Sequence, residues 1–133
     1  MGIFNGVHQV NFRVRDMNLS CKWYQEVLGL VIQKDYGDTV VLGFNNHPEN
    51  NTTICLIKID KTVSIPNNEN GTHPVLSISP GQAESCKRYL VERGTTIVEG
   101  GGVAHFKFKD PDGNLIEAYL PGLYEEKQFE HLR

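Results

Sequence analysis

The chain is predicted to be an α+β protein made of two tandem βαβββ modules, and three observations carry that expectation. The triplet Ser20-Cys21-Lys22 recurs as Ser85-Cys86-Lys87, each copy followed by a tyrosine two residues on (Tyr24, Tyr89) and a glycine seven on (Gly29, Gly94). Residues 7–14 alternate apolar and polar side chains, as a strand with one wet face does. The order strand, helix, three strands is legible twice. Each module should bury its apolar face mainly against its twin, so the halves are expected to form one curved mixed-sheet cup with a helix on each outer face. Polar strand faces would line the hollow, the natural place for a ligand.

In residues 7–14, Val10, Phe12 and Val14 share one face and Gln9, Asn11 and Arg13 the other. The first helix has Asp16 or Asn18 as N-cap, Trp23, Tyr24, Val27 and Leu28 as its apolar stripe, and Gly29 as its close. Strands are expected near 30–35, 38–44 and 52–59. Residues 60–72, with Pro66 and Asn70-Gly71, read as a linker. The second module opens with a strand at 73–79. Ser79-Pro80-Gly81-Gln82 then has the form of a capping box with proline at the first helical position, and the helix runs to about Arg93 before Gly94. Strands near 95–99, 102–109 and 114–120 follow. The last two are joined by Asp110-Pro111-Asp112-Gly113, where proline sets φ and glycine takes the positive φ of a tight turn. A single domain over 1–133 is expected, with module one at 6–59, module two at 73–120 and a C-terminal tail at 121–133.

At 133 residues the chain is long enough to bury roughly two thirds of its unfolded surface. Thirteen basic and 16 acidic residues leave no basic surplus for nucleic acid. No apolar run has the length of a membrane span, and no charged region leads into one at the N-terminus. Cys21, Cys55 and Cys86 cannot all pair and form no Cys-x-x-Cys, so a reduced cytoplasm is the simplest setting. The Asn-x-Thr triplets at Asn51 and Asn70 read as polar turns.

Aligning the copies at Val14 and Ile78 sets Gln9 against His73, and Ile54-Cys55-Leu56 against Ile116-Glu117-Ala118. Gln9, Cys55, His73 and Glu117 should then converge on the hollow from four strands. Imidazole and carboxylate are good ligands for divalent first-row metals, and an amide oxygen is a weaker one. His73 and Glu117 are the firm pair, and they rest on the repeat because no local motif joins them. A lone histidine beside a proline, as in His73-Pro74, is commonly a surface residue. Glu117, by contrast, interrupts Leu115-Ile116 and Ala118-Tyr119-Leu120, where a carboxylate needs a partner. Cys55 reads first as a small core hydrophobe and second as a thiolate ligand; Cys21 and Cys86 read as core residues on helices. His8 shares the face of Val10 and Phe12, so alternation selects Gln9 over it. His47 and His131 read as solvated. His105 and Lys107 alternate with Ala104, Phe106 and Phe108 and, with Asn11 and Arg13, are candidates to contact substrate.

The opening strand VHQVNFRVRD, the helix end KWYQEVLGL and the closing FKFKDPDGNLIEAYL together resemble the vicinal oxygen chelate superfamily. That superfamily includes glyoxalase I, extradiol dioxygenases, fosfomycin resistance proteins and bleomycin resistance proteins. The resemblance covers nearly the whole chain and implies paired βαβββ modules around one divalent metal (Ni, Zn, Mn, Fe or Co), commonly in a homodimer. It implies Gln9, seven residues before Asp16, together with His73 and Glu117 as metal ligands. Glutamine at the first position is like some glyoxalases, whereas the dioxygenases and fosfomycin enzymes generally have histidine there. The second carboxylate of glyoxalase I falls at Cys55. That departure touches the base needed to move a proton between carbons beside a carbonyl.

Three functions are in view. The first is a metal-dependent lyase or isomerase of glyoxalase type, whose substrate chelates through adjacent oxygens while Glu117 doubles as general base, with Cys55 as a thiolate ligand or base. The second is a non-catalytic protein that sequesters a small molecule, as in the bleomycin resistance branch. Arg13 and Lys107 favour an anionic or neutral ligand over a cationic drug. The third is thiol transfer to an epoxide such as fosfomycin, against which Gln9 counts. The enzyme is placed ahead of the binder.

Overall fold

The computed structural model describes residues 2–44, 52–65, 68 and 70–133. The chain divides into two compact units, at residues 1–65 and 66–133. The first contains β1 (Gln9–Val14), α1 (Met17–Glu26), β2 (Leu30–Asp35), β3 (Thr39–Phe44) and β4 (Thr53–Lys58). The second contains β5 (Val75–Ser77), α2 (Cys86–Glu92), β6 (Thr96–Ile97), β7 (His105–Lys109) and β8 (Leu115–Tyr119). The sheet orders are β1-β4-β3-β2 and β5-β8-β7-β6, so the α+β class and the doubled βαβββ order are what the chain adopts. In each unit the first strand lies parallel to the last, and the remaining pairs are antiparallel. Parallel neighbours need a long crossover, and the helix with its following hairpin supplies it.

The register repeats as well. Asn11 lies opposite Cys55 in one unit and Val75 opposite Glu117 in the other. The alignment that sets Gln9 against His73 and Cys55 against Glu117 therefore also superimposes the strand pairing, because Gln9 and His73 each stand two residues before the residue registered with Cys55 or Glu117.

In the first unit the apolar face of β1 is buried at Phe12 and Val14 together with Tyr24, Leu30, Val40, Leu42, Ile54 and Leu56. Tyr24 packs its ring 6.3 Å from Phe12 and 4.9 Å, edge-on, from Trp23. Asp16 is the N-cap of α1, its Oδ1 accepting from the Leu19 amide at 3.1 Å. Gly29 and Gly94 have φ of +73° and +78°, the left-handed conformation that lets the chain leave a helix.

The second unit departs from expectation. Its helix is divided into a 3-10 turn at Pro80–Gln82 and a short α2. Ser79 makes no side-chain cap, and Gln82 Oε1 instead accepts from Ser85 Oγ at 3.0 Å, so the capping box does not form. The tight bond from Gln82 N–H to the Ser79 carbonyl at 2.8 Å closes a 3-10 turn at the proline, not an α-turn. The strand expected at 73–79 keeps only three residues. Pro74 has no N–H to give, although its carbonyl accepts from the Glu117 amide at 3.0 Å. Residues 121–133 are packed: Leu123 and Leu132 are buried, and Arg133 donates to the carbonyls of Leu123 (2.8 Å) and Glu126 (3.1 Å).

All three cysteines are unpaired; Cys55 is buried, while Cys21 and Cys86 are half-buried and not the core residues expected. His131 is exposed and bonds Glu84 at 3.3 Å. Among the described residues no helix is long and apolar enough to cross a membrane.

The β7–β8 hairpin turns on Asp110. Its Oδ1 accepts from the amides of Asp112 (2.9 Å) and Asn114 (2.8 Å), and its Oδ2 from Asn114 Nδ2 (2.9 Å). Asp110 and Asn114 are both buried, so Asp110→Ala leaves dry donors without acceptors. We expect it to lower unfolding stability by about 2–4 kcal/mol, read from urea denaturation.

Candidate functional site

In the first unit, parallel pairing sets Gln9 beside Thr53, Asn11 beside Cys55 and Arg13 beside Ile57. Registered partners share a sheet face, so Gln9, Asn11, Arg13 and Cys55 lie on the side opposite Phe12 and Leu56. Gln9 Nε2 donates to Asn11 Oδ1 at 2.9 Å, which leaves the Gln9 amide oxygen as the end a cation would take. Asn11 and Arg13 are exposed. Cys55 is 2% exposed, and burial pushes its thiol up more strongly than the nearby Arg13 charge draws it down. Its sulfur is therefore a neutral thiol at neutral pH. His8 is exposed ahead of β1, and its backbone carbonyl accepts from Thr53 N–H at 3.1 Å. His47 lies outside the described residues. A crevice of about 790 Å³ opens on the helix side, lined among others by Cys21, Ile32 and Val40, and mixes both signs of charge. Val40 is registered with Leu56 on the core face, so this crevice is not on the face that carries Gln9.

The second unit holds the denser chemistry. His73 Nε2 donates to Glu117 Oε1 at 2.8 Å, and His105 Nε2 donates to Glu117 Oε2 at 2.6 Å. The other ring nitrogen of His105 bonds the Tyr124 hydroxyl at 2.7 Å. Strand pairing brings these groups together: Glu117 is registered between Val75 on β5 and Lys107 on β7, with His105 two pairs further along, on the same face, opposite Tyr119. The Glu117 side chain is only 16% exposed. Its carboxyl is held below the usual range, first by the bond from His73 and then by that from His105, which together outweigh burial. Glu117 is thus ionised at neutral pH, with an imidazole on each oxygen.

Imidazole nitrogen and carboxylate oxygen are suitable donors for a divalent ion. His73 Nε2 and Glu117 Oε1, 2.8 Å apart, are near enough for one cation to take the place of the hydrogen bond between them. Among the described residues, no group of three or more His, Cys, Asp and Glu side chains is arranged to hold a metal, so further donors are needed. His73 Nδ1 is buried with no hydrogen-bond partner among the described residues.

Lys107 is exposed on the strand face of Glu117. His105, expected to meet substrate, has both ring nitrogens engaged by Glu117 and Tyr124. Tyr124 escaped the sequence reading because it lies beyond the last strand, where no periodicity points to it. A crevice of about 260 Å³ adjoins the pair, lined among others by Val98, Gly101, His105, Lys107 and Tyr124.

A family model described as Glyoxalase/Bleomycin resistance protein/Dioxygenase superfamily matches residues 6–118. Among solved structures, the chain is similar to the trypanothione-dependent glyoxalase I of Leishmania major, with a TM-score of 0.72 and 21% identity over 96% of this chain and 95% of that one. It is similar to the fosfomycin resistance protein FosX of Listeria monocytogenes, with a TM-score of 0.71 and 18% identity over 92% and 97%. A glyoxalase/dioxygenase from Nostoc punctiforme gives a TM-score of 0.67 and 22% identity over 84% and 88%. At these identities the likeness is one of fold.

Burial raises the thiols of Cys21, Cys55 and Cys86 alike, with Asp35 adding to the effect at Cys21. At pH 7.5 iodoacetamide should alkylate the native protein more slowly than the urea-unfolded chain, by on the order of tenfold at Cys55. Peptide mass spectrometry over time checks this, and the native rates should climb as pH is raised.

Proposed function

The chain belongs to the glyoxalase/bleomycin resistance protein/dioxygenase superfamily, and on that premise we propose that it is a divalent-metal-dependent enzyme of lyase or isomerase type. Its substrate would be a small anionic or neutral molecule presenting two adjacent oxygens. The observation that supports this most directly is His73 Nε2 against Glu117 Oε1 at 2.8 Å in a largely buried setting.

His73 and Glu117 are the proposed ligands, joined by Gln9 on the strength of the repeat and the family resemblance. Nickel, zinc, manganese, iron and cobalt all accept such nitrogen and oxygen donors. A bound divalent cation would stabilise negative charge developing on a substrate oxygen. Cys55 becomes a donor only where a cation displaces its proton, since burial otherwise keeps it neutral. The low proton affinity of Glu117 suits a ligand; a role as general base requires one imidazole to release its oxygen first. Arg13 and Lys107, both exposed on strands beside these residues, favour an anionic ligand, and Asn11 offers an amide. The assembly we propose, from the resemblance, is a homodimer.

Titration calorimetry of chelator-treated protein with Ni²⁺ and Zn²⁺ tests the reading. We expect one equivalent per chain, with His73→Ala and Glu117→Ala each weakening binding by about 100-fold or more. Absence of saturable binding in the unaltered protein overturns the metal centre. Tight binding of a cationic glycopeptide, unchanged by Glu117→Ala, would instead favour the sequestering function, and turnover of fosfomycin with a thiol would favour the transferase.

A further inference from the structure

We propose that His105 and Tyr124 are positioning residues that hold Glu117 Oε2, so that Oε1 and His73 form the edge open to a cation. The inference rests on the reading of Glu117 as a metal ligand, and it assigns unlike roles to two imidazoles that both touch that carboxylate.

The hydrogen bonds along the chain set those roles. An ionised carboxylate only accepts, so each imidazole presents an N–H to it through Nε2. The other nitrogen of His105 is bonded to the Tyr124 hydroxyl at 2.7 Å, so this ring is held at both ends. Tyr124, His105 and Glu117 form one continuous hydrogen-bonded run. Removing His105 from Oε2 breaks this run, whereas His73 has no second partner among the described residues. His73 Nε2 can take a cation by giving up its bond to Glu117 Oε1, its ring proton then sitting on Nδ1, whereas releasing His105 also disturbs the contact with Tyr124.

The surroundings of His105 are built to keep it still. Tyr119 meets its ring edge-on at 5.0 Å and Tyr124 at 5.6 Å, while the two tyrosine rings stack at 6.1 Å. The His105 carbonyl accepts from the Gly102 amide at 2.8 Å. At Gly101, φ is +77°, and a Cβ would stand 2.6 Å from the His105 carbonyl oxygen and 3.1 Å from Phe106 Cα. No side chain fits there without moving the strand that carries His105. Tyr124 follows Leu123, which is fully buried and whose carbonyl is bonded by Arg133 at 2.8 Å.

The test pairs a metal-free readout with a metal-bound one. In metal-free protein, nitrogen-15 imidazole spectra should show a proton on His105 Nε2, and Tyr124→Phe should shift the Nδ1 resonance while leaving that proton in place. With Ni²⁺, His105→Ala should weaken binding about 10–100-fold and Tyr124→Phe by less. His105→Gln, whose amide can still donate to Oε2, should recover most of the loss. The visible spectrum of the Co²⁺ form should shift in His105→Ala, with circular dichroism confirming that each variant is folded. If the unaltered protein binds no metal, the metal reading falls and this inference with it. If it binds metal but His105→Ala leaves both affinity and the Co²⁺ spectrum unchanged, the positioning role alone is wrong. A His105 Nε2 without a proton in the unaltered metal-free protein would overturn it as well.

Discussion

A carboxylate held between two imidazoles organises the second unit. Glu117 sits in a strand whose neighbours Leu115, Ile116 and Ala118 are buried, and a charge in that position is tolerated only where hydrogen bonds replace the water it has lost. The replacements come from three separate pieces of chain: His73 from just before β5, His105 from β7, and Tyr124 behind His105 from the segment after β8. Parallel pairing of β5 with β8 brings the first alongside, and antiparallel pairing of β7 with β8 brings the second. The packed C-terminal segment contributes the third. Much of what is unusual about this unit, from its shortened first strand to its ordered tail, surrounds that carboxylate.

The two modules show how one backbone plan carries different chemistry. At the register position where the second unit places Glu117, the first places Cys55; where the second has His73, the first has Gln9. The first face is consequently uncharged at its centre, with a dry neutral thiol and an amide, and carries exposed cations at Arg13 and, on β2, Lys34. The second is anionic at its centre and shielded by imidazoles. A duplicated scaffold with divergent faces offers soft, neutral and charged donors on one strand order, which is why a shared fold alone does not select the reaction.

Local pattern was a sound guide wherever a segment's own chemistry decided its structure. Alternation over residues 7–14 reported the buried face of β1, and Asp16 caps α1 because a short carboxylate reaches the third amide on. The turn after Asp110 formed with Gly113 at the positive φ its residues suggest, while the carboxylate bonds of Asp110 that close it were not read from the sequence. Local pattern misled at Ser79, where the residues of a capping box were present but a 3-10 turn at Pro80 sent Gln82 to Ser85. It also offered nothing at Tyr124, since a tyrosine in an aperiodic tail carries no directional signal.

The sequence by itself determined the doubled βαβββ plan, the faces of the strands and the isolation of Glu117 among apolar neighbours, because side-chain periodicity is a property of a few adjacent residues. Only the tertiary structure decided which groups answer that carboxylate. His73, His105 and Tyr124 lie 44, 12 and 7 residues from Glu117, and whether a given nitrogen meets a given oxygen depends on strand register and on contacts of a few ångströms that no single segment encodes. The repeat pointed to His73, and strand pairing brought His105 to the other oxygen of Glu117.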